Sequence, residues 1–383
     1  MSIQRQANTD LEFSPEQAMI LDSSKDFCRD KSDIATVRKL IDSRSGFDAD
    51  TWQEMIELGW TGIAIPEQYG GSGMTMGAVI PLVESMGRHL LCTPLLSTTL
   101  SAQALIRGAS EQQKTQWLNK IADGSAIGTL ALLDNEDWGA TVSKMQLNQS
   151  ANGLQLTGKK TMVMDAEVAD FFIVSATAND TQTLVIVESK QLAKDAIKRK
   201  VCIDETKRVY DIEFTGVVVD QGAVLSNSLS TLKDIQLLGA LLIASEASGA
   251  AAAALDCIVG YLTTRTQFGR LIGSFQALKH PTVEILMEMD AARTLIYHAA
   301  TLLDHQGPGA TINEDTEMAC RMAKAQASEA LLFAGDRAVQ FHGGMGFTHE
   351  CDAQLYLRRS QWSQQQFGDP QHHRRHLAPL LID

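Results

Sequence analysis

The sequence predicts an α+β protein in three parts: an N-terminal helical domain over 1–125, a middle antiparallel β-barrel or sandwich over 126–228, and a C-terminal four-helix bundle over 229–383. Three observations carry this. Apolar residues recur at helical spacing up to Gly124, short alternating runs replace them, and helical spacing returns at Leu229 and holds to the end. A chain of 383 residues is long enough for two or three units with cores of their own.

In the first part, Ser14-Pro15-Glu16-Gln17 is a capping box with proline at the first helical position, so a helix is expected over 14–30. Helices over 32–42 and 49–58 follow, and Gly59 ends the latter. The run Gly62 to Gly71 breaks into a Pro and Gly-Gly turn; helices over 75–91, 95–107 and 110–122 come next, the last with Ser110 as N-cap. In the middle part Leu154 and Leu156 alternate with Gln155 and Thr157. Phe171 to Ala176 and Leu184 to Val187 are short buried runs, and Tyr210, Ile212 and Phe214 face away from Asp211 and Glu213. The one candidate helix there is 189–197. In the last part 231–264 is rich in alanine, which lets helices approach closely. Helices over 281–306 (stopped by Gly307-Pro308-Gly309), 314–341 and 349–364 complete the bundle.

The formal net charge of −13 argues against nucleic acid as a partner. No apolar run approaches the roughly 20 residues of a membrane span, the N-terminus lacks a signal-peptide core, and a cytoplasmic protein is expected. The six cysteines form no CxxC pair and fit free thiols. His342 and His349, and the cluster His372, His373 and His376, have no carboxylate-backed metal spacing; they read as surface or cap residues, and no metal site is expected.

Tyr261 to His280 holds a fixed cation, Arg265, then Gln267 and Phe268, with Gln276 eleven residues after the arginine. Gly269 and Gly273 interrupt it. Arginine grips phosphate bidentately and glycine admits close backbone approach, so the stretch reads as a site for a phosphate-bearing ligand or as a helix–loop–helix corner with solvated charges.

Over nearly its whole length the chain resembles the acyl-CoA dehydrogenase family. The resemblance is carried by Arg265-Thr266-Gln267-Phe268-Gly269 with Phe275-Gln276, and by Gln340 to Phe347, reading QFHGGMGF. Ile65 to Gly71 and Thr157 to Lys160 match less specifically. The resemblance implies FAD as cofactor, an acyl-CoA substrate dehydrogenated at the α,β bond, an electron-transfer flavoprotein or similar acceptor, and assembly as a dimer of dimers. It also implies that Arg265, Gln267 and Phe268 reach the pyrophosphate region of a neighbouring subunit's FAD, with Gln276 close by and Gln340, Gly343 and Gly344 along its adenosine side. Family members place a catalytic glutamate at one of two positions. These fall here on Phe367 and on Gly239, twenty-six residues before Arg265, and neither can accept a proton. The family's Thr-Glu-Pro-x-x-Gly-Ser-Asp flavin loop corresponds to Leu132 to Gly139, and its Trp-Ile-Thr segment to Met162-Val163-Met164.

The contacts toward a neighbour's flavin are thus kept while those for the chain's own are altered. This resembles one subunit of a heteromeric (α2β2) dehydrogenase of steroid side-chain breakdown, with similarity also to the dicarboxyl-CoA dehydrogenases. A second reading keeps catalysis in a homotetramer with a relocated base, Glu246 or Asp369; the bland roles are a paired structural carboxylate for the first and a helix cap or partner of Arg374 for the second. A third is an acyl-CoA-binding homologue without dehydrogenase activity.

Overall fold

The computed structural model describes residues 15–138 and 142–382. The N-terminal part is α1 (Pro15–Lys31), α2 (Ile34–Ile41), α3 (Ala49–Glu57), α4 (Ile80–Arg88), α5 (Leu95–Gly108) and α6 (Glu111–Ala122). Asp33 and Asp48 cap α2 and α3 by accepting from the N–H three residues on. At α6 the reciprocal box is complete: Ser110 Oγ accepts from Gln113 N, and Gln113 Oε1 from Ser110 N. The box expected at Ser14 lies outside the described residues.

Among the described residues the middle part has nine strands. They are β1 (Gly128–Ala131), β2 (Gln146–Ser150), β3 (Gly153–Thr157), β4 (Lys159–Met164), β5 (Phe171–Ala178), β6 (Thr181–Glu188), β7 (Ile197–Lys200), β8 (Val209–Glu213) and β9 (Val218–Val219). One sheet runs β1-β5-β2-β3-β9 with β6 also on β5, and a second runs β4-β8-β7. Val174, Val185 and Leu156 of the first share one core with Val163 and Ile212 of the second and with Phe214, which follows β8. Antiparallel pairing dominates, with β1 and β2 parallel to β5. The candidate helix at 189–197 is instead a single 3-10 turn, Ser189–Gln191.

The C-terminal part is α7 (Ser228–Leu262), a two-residue hairpin of β10 (Thr266–Gln267) and β11 (Arg270–Leu271), α8 (Gln276–Gln306), α9 (Glu314–His342), α10 (Ala353–Gln365) and α11 (Pro370–Ile382). The sequence reading missed α11, although Asp369-Pro370 is a cap-and-N1 signature and Asp369 Oδ1 accepts from His372 N at 2.7 Å. It also started α8 five residues late. Pro281 sits inside the helix, one turn in, rather than opening it.

α7 corrects a further expectation. It is long and apolar enough to cross a membrane, with a mean hydropathy of 1.6 over its best window, but 94% of that window is buried inside the protein. Over that window it is apolar nearly all round because it is enclosed nearly all round. Its crossing with α4 is close enough to need glycine on both helices. A Cβ on Gly87 would lie 2.0 Å from the Glu246 carbonyl oxygen, and one on Gly249 would lie 1.9 Å from that of Glu84. Gly249→Ala should therefore lower stability by about 1–3 kcal/mol despite alanine's better helix propensity, read as a lower denaturation midpoint in urea.

Candidate functional site

Arg265 follows the end of α7, where the chain turns into the β10–β11 hairpin. Phe268 and Gly269 make its two-residue loop, both at positive φ (53° and 76°), the geometry a tight hairpin requires. A phenylalanine pays for that conformation, and this one gains little in return, being 88% exposed. The Arg270 guanidinium lies 4.1 Å from the Phe275 ring centroid and steadies the hairpin.

Beside the hairpin is a cleft of about 700 Å³. Arg265, Gln267, Phe268, Gly343 and Gly344 all line it, so the structure brings together five of the seven residues expected at a cofactor. Gln276 and Gln340 are exposed next to lining residues Phe275 and Phe341 but are not part of the wall. Tyr261 and His342, stacked at 4.1 Å, form a wall that the sequence reading did not assign, having read His342 as a surface or cap residue. A Cβ at Gly344 would meet no protein atom within 4 Å. No atom of this chain opposes a side chain there. Phe268 at the cleft, and Leu271, Val283, Met287 and Phe347, leave large apolar side chains in water.

Gly239 and Phe367 meet elsewhere, in a crevice between the middle part and the helices. A Cβ on Gly239 would lie 2.4 Å from Phe367 Cε1. The Phe367 ring, 4% exposed, packs on Trp138 at 4.3 Å between centroids. Phe367 also takes a positive φ of 55°, a strain of order 1–3 kcal/mol that its surroundings must hold. His373 Nε2 donates to the Phe367 carbonyl at 3.0 Å. Lys324 Nζ, fully buried on α9, donates to the carbonyls of Ser363 (2.9 Å) and Gly368 (3.0 Å). Burial pushes the Lys324 ammonium down to about 7 and the His373 imidazole down to about 2. His373 is therefore a buried neutral histidine, not the surface or cap residue expected; His376 is exposed. A pocket of about 180 Å³ adjoins the crevice, lined among others by Trp138, Gln236, Arg321, Phe367 and the three histidines. Gly139 lies outside the described residues.

The two carboxylates considered as bases are engaged otherwise. Asp369 caps α11. Glu246, fully buried on α7, receives Lys207 Nζ at 2.5 Å and Arg359 Nη1 at 3.1 Å on the same oxygen. Arg359 also binds Asp204, and Thr206 Oγ1 at 2.8 Å. Next to this network Met164, Asp165, Lys207 and Cys92 line a cavity of only about 20 Å³. Burial pushes the Asp165 carboxyl up to about 6, against the opposing hydrogen bond from Ser97 (2.7 Å) and the charges of Lys207 and Arg208.

Two family models match the chain: the acyl-CoA dehydrogenase N-terminal domain over residues 14–125 and the C-terminal domain over 237–381. The chain is 31% identical over 345 residues to acyl-CoA dehydrogenase IpdE2 of Mycolicibacterium smegmatis, covering 89% of this chain and 91% of that one. It belongs to the acyl-CoA dehydrogenase family. It is also 30% identical to the probable acyl-CoA dehydrogenase YngJ of Bacillus subtilis, over 91% of this chain and 93% of that one. Among solved structures it superposes on the ChsE4–ChsE5 complex from Mycobacterium tuberculosis with a TM-score of 0.86 at 21% identity, covering 98% and 99% of the two chains. A variant of the Tcur3481–Tcur3483 steroid acyl-CoA dehydrogenase gives 0.83 at 25% identity, covering 96% and 97%.

The family uses FAD. The cleft fits part of it: a guanidinium, an amide and bare glycine backbone suit a pyrophosphate and its adenosine. Of the segment matched to the flavin-ring contact, Met162-Val163-Met164, only Met164 lines the cavity of about 20 Å³, room for a water molecule.

One titration can be isolated here. Asp165 has a folded pKa above the ordinary carboxylate value, so its ionisation opposes folding, and the stability it costs appears as pH rises from about 4 to 6. Asp165→Asn should lose that component. The variant's thermal midpoint should gain on wild type across this window and run parallel to it above pH 7.

Proposed function

We propose that this chain is the subunit without a catalytic base in a heteromeric FAD-dependent acyl-CoA dehydrogenase. It lends Arg265, Gln267, Phe268, Gly343 and Gly344 to a flavin whose ring and base are held mainly by a second dehydrogenase-like chain. The observation that carries this is the opposite state of the two regions. The outward cleft is open and lined as a cofactor's phosphates require, whereas the inward crevice is filled by Phe367 and Trp138, with a glycine opposite. Glu246 and Asp369, the carboxylates that could have replaced the base, serve an ion network and a helix cap. The substrate class follows the Tcur3481–Tcur3483 relative, a steroid acyl-CoA dehydrogenase: an acyl-CoA with a bulky polycyclic acyl group.

Purified alone, the chain should hold substoichiometric FAD and show no acyl-CoA dehydrogenation with an artificial electron acceptor. Co-expressed with a dehydrogenase-like chain that retains the glutamate, it should yield a flavinylated, active complex. In that complex Arg265→Ala should weaken FAD retention by about tenfold or more, since a charge-assisted bidentate contact is lost. Stoichiometric FAD and turnover from this chain alone overturn the assignment.

A further inference from the structure

Phe367 is held from four directions. Gly239 on α7 leaves the space the ring occupies: a Cβ there would lie 2.4, 2.5 and 2.6 Å from three of its carbons. Trp138, in the segment after β1, covers the ring at an interplanar angle of 34°. Lys324 on α9 and His373 on α11 hold the carbonyls of the turn that aims it. Gly368, at φ 98°, completes that turn, and a Cβ on it would lie 2.5 Å from the His372 ring. A side chain that merely occupied spare volume would not need an unfavourable backbone conformation fixed by a buried lysine and a buried neutral histidine. The arrangement keeps the phenyl ring in one place, in the lining of the pocket of about 180 Å³.

We propose that Phe367 is a fixed plug that shuts this chain's own crevice against an acyl group, with Gly239 as its socket and Trp138 as its cover. This rests on the subunit assignment above and deepens it. The chain is closed to the acyl moiety, not only unable to deprotonate it. A heteromeric pair then takes up one acyl-CoA, on the partner's side, and loses none to an unproductive site. Phe367, Gly239 and Trp138 thereby determine where substrate binds without touching it.

The test compares octanoyl-CoA with free CoA, by isothermal titration calorimetry on the full chain. Wild type should bind the two equally weakly, with no acyl-dependent gain. Phe367→Ala should bind octanoyl-CoA at least about tenfold tighter than free CoA, as expected for burying a few methylenes. Gly239→Ala should act in the same direction, because its Cβ evicts the ring while leaving the phenylalanine in the chain. Phe367→Leu, which keeps most of the bulk, should stay closed. Benzene should compete with the acyl chain in Phe367→Ala, because the vacated volume is apolar. Circular dichroism checks that each variant folds, and Gly239→Ala and Trp138→Ala carry the test if Phe367→Ala does not.

The plug is refuted if wild type already prefers octanoyl-CoA over CoA as strongly as Phe367→Ala does, or if no folded variant gains a preference. The subunit assignment has a separate readout. Wild type that prefers octanoyl-CoA but holds no FAD alone sinks the plug and leaves the assignment. Wild type that shows no acyl preference and yet fails to activate any glutamate-bearing partner sinks the assignment and leaves the plug.

Discussion

The ion network around Glu246 is the constraint on which the architecture rests. Its members come from places far apart in sequence: Glu246 in the middle of α7, Asp204 and Lys207 in the loop between β7 and β8, and Arg359 in α10. Removing either cation would leave the other charges buried with less compensation, a loss of about 3–5 kcal/mol by the usual measure of broken buried pairs. A wholly apolar junction could be as stable, but it would not direct one group to several named partners, as Arg359 is directed to Asp204, Thr206 and Glu246. The network ties the β7–β8 loop to α7 and α10.

Much of the fold was legible because its signals are local. Ser110 and Gln113 state a cap within four residues, and the alternation from Tyr210 to Phe214 states a half-buried strand. The parallel pairing of β1 and β2 with β5 is not local, and no single strand encodes it. α11 was missed for another reason. Its histidines and arginines look like a solvated tail, and only its partners, Lys324 and the Phe367 turn, show that His373 is interior.

The sites divide in the same way. Arg265, Gln267 and Phe268 lie together in sequence and stay together in space, and Gly343 and Gly344 join them because α9 ends where α7 ends. Glu246 could not be judged from sequence, since Lys207 and Arg359 are brought to it only by folding. The contact between Gly239 and Phe367 was equally hidden. Each looked like a gap in a motif, and only their packing shows that the two gaps are one object. Lys324 gave no local signal at all: a lone lysine on a helix reads as solvated until its acceptors from α10 and the following turn surround it.

That contact has an evolutionary consequence. A carboxylate cannot enter at position 239 while the ring stands 2.4 Å from where its Cβ must go. Nor can one enter at 367 without burying a charge against Trp138. The first step requires the Phe367 ring to move and the second is opposed by Trp138, so positions 239 and 367 are coupled as neighbours in contact are. Under the subunit reading proposed above, this spot works as a ratchet: a carboxylate at either position is accommodated only together with a movement of Phe367 or a change at Trp138.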